Sequence, residues 1–198
     1  MASDEGFIDL LRHGQPEGGD RFRGLQDDPL SATGWQQMRA AVGDAAPWDG
    51  IVTSPLRRCA EFAAELAQRH ELPLETEPRL HELAFGEWEG RTYADLAENA
   101  PVALQAFFDD PVANPPPGGE SLADCAARVY AAWDQLRTRH AGRHLLVVCH
   151  GGVIRLLLSR LLGMSTENMF RLEVPYACIS RVRCDPSADR LAFHGGKP

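Results

Sequence analysis

Nothing in this chain of 198 residues is apolar for long enough to cross a bilayer. Its longest apolar stretches, such as Leu145 to Cys149, hold a handful of residues, where a spanning helix needs about 20. The first residues, Met1 to Gly6, have neither the basic start nor the apolar core of a secretory signal. Cysteine is sparse and unpaired in pattern: five residues, at 59, 125, 149, 178 and 184, with no CxxC spacing. Reduced thiols in a cytoplasmic protein are the expectation, with Cys149 acting as a small hydrophobe in a buried strand. Positive charge is also in deficit. A formal net charge of −8 argues against broad nucleic-acid affinity. No internal repeat occurs, no GxGxxG follows the first strand, and the run from Asn114 to Gly119 is too short for a domain linker.

What is present suits one globular domain over residues 1–198, with 44% hydrophobic and 8% aromatic residues to fill a core. Short apolar runs at Phe7 to Leu11, Ile51 to Thr53, Leu74 to Glu77 and His144 to Cys149 read as strands, the last being the most strand-like. Ile179 to Arg183 and Leu191 to Phe193 read as a closing pair. Between them lie helical patterns. One starts after Ser31 as N-cap and runs to about Ala45, with Trp35, Met38 and Val42 on one face. A second starts at Pro55, a third runs from Glu120 or Ser121 to about His140, and a fourth from Val153 to Leu162. Strands alternating with helices predict an α/β fold: a three-layer α/β/α sandwich around a mostly parallel sheet. The irregular segment of about 83–119 reads as a short insert folded over one end of that sheet.

In open α/β sheets, ligands bind beyond the carboxyl ends of the strands. Arg12 and His13 follow the first strand, Arg57 and Arg58 the second, His150 the most central one, and Glu82 the short strand near residue 75. Gly151-Gly152 opens a helix whose free N–H groups add to an anion site. Arginine forks grip phosphate, nearby positive charge keeps an imidazole neutral and nucleophilic, and a carboxylic acid can protonate a leaving oxygen. The combination fits phosphoryl transfer, where catalysis is mainly positioning and electrostatics.

Six ordered blocks sharpen this reading: Leu11-Arg12-His13-Gly14; Asp28-Pro29-Leu30-Ser31 with Gly34; Thr53-Ser54-Pro55-Leu56-Arg57-Arg58; Leu80-His81-Glu82 with Phe85 to Gly90; Gly118-Gly119-Glu120-Ser121; and His150-Gly151-Gly152. With them the chain resembles the histidine phosphatase superfamily, in the branch of cofactor-dependent phosphoglycerate mutases and small phosphatases. The resemblance implies a metal-independent phosphomonoesterase without a cofactor. It makes His13 the nucleophile that becomes phosphohistidine, and Glu82 the acid and then the base. It makes Arg12, Arg58, His150 and the Gly151 N–H the phosphoryl-binding groups, with Gln15 and Arg23 as further substrate contacts. Gly18-Gly19 stands where many relatives have asparagine, and Glu61-Phe62 where many have Gln-Thr.

The subfamily pattern is most similar to α-ribazole phosphatases of cobalamin biosynthesis. The alternatives are a broad-specificity small-molecule phosphatase, a phosphoglycerate mutase-type phosphotransferase and, from another class, a non-catalytic binding protein. The expected partner is a small phosphorylated substrate, not a membrane or nucleic acid, with a homodimer left open. For Arg57, Arg21 and Arg23 a solvated surface position is at least as compatible with the sequence as substrate binding. His140 and His144 read as surface histidines rather than metal ligands, Trp35, Trp48 and Trp133 as core, and Trp88 as a pocket wall.

Overall fold

The computed structural model describes residues 5–44 and 46–198. The elements are β1 (Gly6–Arg12), α1 (Ala32–Val42), β2 (Gly50–Thr53), α2 (Arg57–His70), β3 (Leu74–Thr76), α3 (Tyr93–Asn99), α4 (Pro101–Asp109), α5 (Leu122–Arg139), β4 (His144–Cys149), α6 (Gly151–Leu161), β5 (Ile179–Cys184) and β6 (Arg190–Gly196). The strands form one sheet in the order β3-β2-β4-β1-β5-β6. The first four are mutually parallel, and β5 runs antiparallel to both β1 and β6. The expected α/β fold with a mostly parallel sheet is the one observed.

Strand alternation sorts the core into two layers. Ile8, Leu10, Val52, Leu145 and Val147 face α5, α6 and the 83–119 segment. Leu11, Ile51, Leu146 and Val148 face α1 and α2. Each of these side chains is almost fully buried, worth about 1.5–3 kcal/mol apiece relative to exposure. The segment 83–119 holds two short helices, α3 and α4, and lays Leu96, Leu104 and Phe107 into the first layer.

Several boundaries differ from the sequence reading for identifiable reasons. α1 stops at Val42, where Gly43 takes φ +62° and returns its N–H to the Arg39 carbonyl; Ala45 lies outside the described residues. α2 begins at Arg57 instead of Pro55, because Leu56 stays extended as N-cap and its N–H is held by the Ser54 hydroxyl at 3.3 Å. β3 ends at Thr76, since the Glu77 side chain caps a 3₁₀ turn over Pro78–Leu80. α6 starts two residues early, at Gly151, so both glycines lie in its first turn.

The histidines at 140 and 144 are not surface groups. Both are partly buried, and they sit on different elements, one capping α5 and the other opening β4. His144 Nε2 lies 3.0 Å from the carboxylate of Asp9, a fully buried acid in the middle of β1. That carboxylate also accepts hydrogen bonds from Trp48 Nε1 at 2.7 Å and from Arg181 Nε and Nη2 at 2.7 and 2.8 Å. Trp88 is not a pocket wall. It is buried in the core, edge-on to Phe107 and Phe22.

Candidate active site

β1 ends at Arg12, and the His13 N–H adds one further bond to the Cys149 carbonyl at 3.0 Å. The chain then turns at Gly14, where a Cβ would come within 2.2 Å of the Gly34 carbonyl oxygen. Only glycine lets this loop lie against the start of α1, which explains both glycines of the sequence blocks. The His13 ring is 5% exposed. Its Nδ1 lies 2.8 Å from the Gly14 carbonyl oxygen, which can only accept. Nδ1 therefore carries the proton and Nε2 keeps its lone pair. Burial first, then the guanidiniums of Arg58 and Arg12, push the His13 pKa well below the usual histidine value.

His150 is fully buried at the N-cap of α6, with its ring edge-to-face to His13 at 5.2 Å between centroids. Arg58 Nε, which can only donate, lies 3.3 Å from His150 Nδ1. Nε2 then carries the ring proton and donates to the Ser54 hydroxyl at 2.7 Å. Burial and the neighbouring positive groups push the His150 pKa down as well. The Arg58 side chain, 1% exposed, is fixed from the other side by the carbonyls of Gln26 and Gly24, both at 2.8 Å.

Arg12 donates to the Val174 carbonyl and lies 4.2 Å over the Tyr176 ring. Its Nε is buried without a partner, a donor aimed at no protein acceptor. Across from it, the partly buried carboxylate of Glu82 accepts from the N–H groups of Leu83 at 3.0 Å and Gly152 at 3.2 Å. Glu82 follows the 3₁₀ turn at Pro78–Leu80 and not a strand end.

A Cβ on Gly152 would come within 2.4 Å of Glu82 Oε1. Gly152→Ala is therefore expected to displace the carboxylate and lower kcat about ten- to a hundredfold, as sub-ångström to 1 Å misplacements do. Steady-state kinetics beside an unchanged melting curve would check this.

These groups wall a cavity of about 240 Å³. Five arginines (12, 21, 23, 58 and 155) line it against a single carboxylate, Glu82, in a chain whose overall charge is negative. The field inside is thus strongly positive and local. Phe22, Phe85, Phe108, Phe170, Met169 and Tyr176 supply the apolar part of the wall. Arg21, Phe22 and Tyr176 continue into a shallower hollow shared with Asp20 and Tyr93.

Of the residues singled out in the sequence, the structure brings Arg12, His13, Arg23, Arg58, Glu82 and Gly151 to this cavity. His150 stands directly behind them. Arg23 is not a solvated surface group: it is buried and spends its donors on Asp28 and on the carbonyls of Glu17 and Gly19. Gln15 is not on the cavity wall; its N–H and carbonyl are tied to Gln37 and Ser31 of the α1 region. Arg57 points to solvent and pairs with Glu61 at 2.7 Å.

Sequence reasoning missed Arg155, Tyr176 and Ser54. Arg155 was the detectable one: a lone cation among Val153, Ile154, Leu156 and Leu157, one turn after Gly151. It reaches the cavity with its Nε held by the Leu172 carbonyl at 2.9 Å. Among the described residues, no group of three or more His, Cys, Asp or Glu side chains is arranged to hold a metal ion. No helix among them is long and apolar enough to cross a membrane.

Residues 8–195 match the family model of the histidine phosphatase superfamily, branch 1. A Mycobacterium tuberculosis protein described as bifunctional is 36% identical over 86% of this chain; the chain spans about half that relative's length, 48%. Glucosyl-3-phosphoglycerate phosphatase of Mycolicibacterium vanbaalenii is 36% identical over 80% of this chain and 75% of its own. The crystal structure of the alpha-ribazole phosphatase from Shigella flexneri superposes with a TM-score of 0.82 at 28% identity, covering 96% of both chains. With a family match over nearly its whole length, on a fold that gathers the same ordered blocks around one cavity, the chain belongs to branch 1 of the histidine phosphatase superfamily.

Proposed function

We propose that the protein is a phosphoric monoester hydrolase that works through a phosphohistidine at His13. The observation that carries this reading is the buried, neutral His13 ring, its proton fixed on Nδ1, at the floor of an arginine-lined cavity with one carboxylate across it. In the first step the Nε2 lone pair of His13 bonds to phosphorus and the bond from phosphorus to the ester oxygen breaks. The Glu82 carboxyl gives its proton to that oxygen as it leaves. In the second step Glu82 takes a proton from water, the water oxygen bonds to phosphorus, and the nitrogen–phosphorus bond breaks. Inorganic phosphate departs and His13 is restored. Arg12, Arg58 and the Gly151 N–H meet the charge on the equatorial oxygens, with His150 beside them.

The preferred substrate is α-ribazole 5′-phosphate. Its flat base matches the aromatic wall of Phe22, Phe85, Phe108, Phe170 and Tyr176, and the phosphate end matches the arginines. A second reading is glucosyl-3-phosphoglycerate. It is favoured by Arg155, a further cation on the wall able to take the carboxylate of such an ester, and by the 36% identity to a phosphatase named for it.

Phosphate release in the presence of EDTA, compared across α-ribazole 5′-phosphate, glucosyl-3-phosphoglycerate, 3-phosphoglycerate and simple sugar and nucleotide monophosphates, separates these. The ribazole ester is expected to lead in kcat/KM by a hundredfold or more, about 2.7 kcal/mol of transition-state discrimination. A lead for the glucosyl ester establishes the second reading. Uniformly slow rates leave a broad-specificity phosphatase, and phosphoryl return to product instead of water would mark a mutase.

A further inference from the structure

The Gly118-Gly119-Glu120-Ser121 block is one of the six ordered blocks, yet neither Glu120 nor Ser121 lines the cavity. Ser121 has a local duty: its hydroxyl accepts the Asp124 N–H at 3.1 Å and caps α5. Glu120 points elsewhere. Its two carboxylate oxygens each lie 2.7 Å from the Arg128 guanidinium, in the two-bond fork that arginine and carboxylate form best.

Arg128, two turns into α5, then reaches across to the segment that carries Glu82. Its Nη1 donates to the carbonyls of Arg79 at 2.7 Å and His81 at 2.8 Å, and its Nη2 to the carbonyl of Glu82 at 3.1 Å. All five guanidinium hydrogens are engaged. The Glu120 N–H adds a bond to the Ala84 carbonyl at 2.9 Å. The glycines make the approach possible: a Cβ on Gly119 would come within 2.7 Å of the Ala84 carbonyl oxygen.

The other ties to this segment are few: Leu80 and Leu83 are buried in the core, His81 Nδ1 lies 2.9 Å from the Glu82 carbonyl, and the Gly152 N–H meets the Glu82 carboxylate. After the 3₁₀ turn at Pro78–Leu80, residues 81–84 belong to no helix and pair with no strand. Unpaired backbone of this kind is ordinarily mobile. Here the carbonyls of residues 79, 81, 82 and 84 are all held by one ion pair whose members sit outside the cavity.

We infer that Arg128 and Glu120 are positioning residues: a clamp that fixes the backbone of residues 79–84 and so sets where the Glu82 carboxyl stands relative to the leaving oxygen. The inference rests on the reading of Glu82 as the acid. Its signature is a dependence on the leaving group. An ester whose departing oxygen is weakly basic needs little protonation, whereas an alkyl ester needs it fully, and general acid catalysis is worth about 10²–10⁴-fold.

The test measures kcat/KM for p-nitrophenyl phosphate and for an alkyl phosphate such as glycerol 3-phosphate. It uses the full chain and the variants Arg128→Lys, Glu120→Gln, Glu82→Gln and Arg128→Lys with Glu82→Gln. Lysine keeps the charge but offers three hydrogens from one atom, too few to span carboxylate and carbonyls. Arg128→Lys is expected to lose about thirtyfold or more on the alkyl ester, within the span of general acid catalysis, and less than about threefold on the aryl ester. It should add nothing further in the Glu82→Gln background. Glu120→Gln is expected to show the same selectivity, less strongly, with the far-ultraviolet spectrum unchanged.

Equal losses on both esters, or losses that multiply with Glu82→Gln, would make the cluster merely structural and overturn the clamp. So would loss of fold in both Arg128→Lys and Glu120→Gln. If Glu82→Gln itself fails to discriminate between the esters, the assignment of the acid falls and takes the clamp with it. That result is distinct from a selective Glu82→Gln beside an unselective Arg128→Lys.

Discussion

His13→Ala is expected to carry no phosphate after incubation with substrate and to lose activity by on the order of 10⁵-fold, the scale seen when a covalent nucleophile is deleted. No neighbour can replace the imidazole. Cys59 and Cys149 are fully buried, and burial pushes both thiols far above the range in which a thiolate forms. The His150 ring spends both nitrogens on Arg58 and Ser54. Wild-type protein quenched during turnover should hold acid-labile, base-stable phosphate, and the variant none; label persisting in His13→Ala would move the nucleophile elsewhere. The same site fixes a pH dependence. Protonation of Nε2 removes the attacking lone pair, so activity falls as pH drops through the His13 pKa. Burial, Arg58 and Arg12 hold that pKa well below 6.5, so the plateau of kcat/KM against pH extends below 6.5. In the unfolded chain the same histidine takes up a proton near 6.5, and the native state does not. Stability therefore also declines as pH falls below about 6.5.

Asp9→Ala is expected to cost about 3–5 kcal/mol of stability, because it removes a fully buried carboxylate on which the donors of three side chains converge. Arg181 loses a two-bond ion pair, and Trp48 and His144 each lose their carboxylate contact. For a chain of this size that corresponds to a fall in Tm of roughly 10–15 °C. Asp9 lies four residues before His13 on an extended strand, roughly 13 Å from it, so kcat per folded molecule at low temperature should stay near wild type. A Tm shift below about 3 °C would show that the network contributes little. Burial opposes ionisation of Asp9, but hydrogen bonds from Arg181, His144 and Trp48 outweigh it and hold the acid below the ordinary carboxylate value. This stabilisation is complete above the unfolded pKa, about 3.9, and is lost as pH falls through the lower folded value.

The parts of the fold legible in the sequence are those where one physical signal acts alone. β4 runs from His144 to Cys149 as its continuous apolar run predicts, since a central parallel strand is covered on both faces. α5 starts beside Ser121, one of the two starts that its apolar spacing leaves open, with Ser121 as its cap. Legibility fails where side chains far apart in sequence compete for the backbone. Pro55 signals a helix start, but the Ser54 hydroxyl, drawn into contact with His150, keeps Leu56 extended and delays α2. In the site, the arginine and histidine blocks were readable because strand ends point to one edge. Tyr176 and the 3₁₀ turn at Thr166–Arg171 were not, because they pack through tertiary contacts with no periodicity of their own. His144 could not be distinguished from a surface residue without knowing that β1 places Asp9 beside it.

The position of β1 in the sheet also dictates when the molecule can become itself. Its two neighbours are β4 and β5, whose residues are translated some 130 and 165 positions after its own. At roughly 5–20 residues per second, β1 waits about 6 s or longer for its first partner and longer still for its second. Throughout that interval Ile8, Leu10 and Leu11 are an apolar strand with two open edges, the arrangement most prone to pair with another chain. The long delay makes β1 the segment through which a nascent chain is captured by chaperones or lost to aggregation. Arg12 and His13, at its far end, find backbone partners at Cys149, Val174 and Cys178, residues made well over a hundred positions later. Affinity for phosphate thus cannot arise until those distant residues have been made.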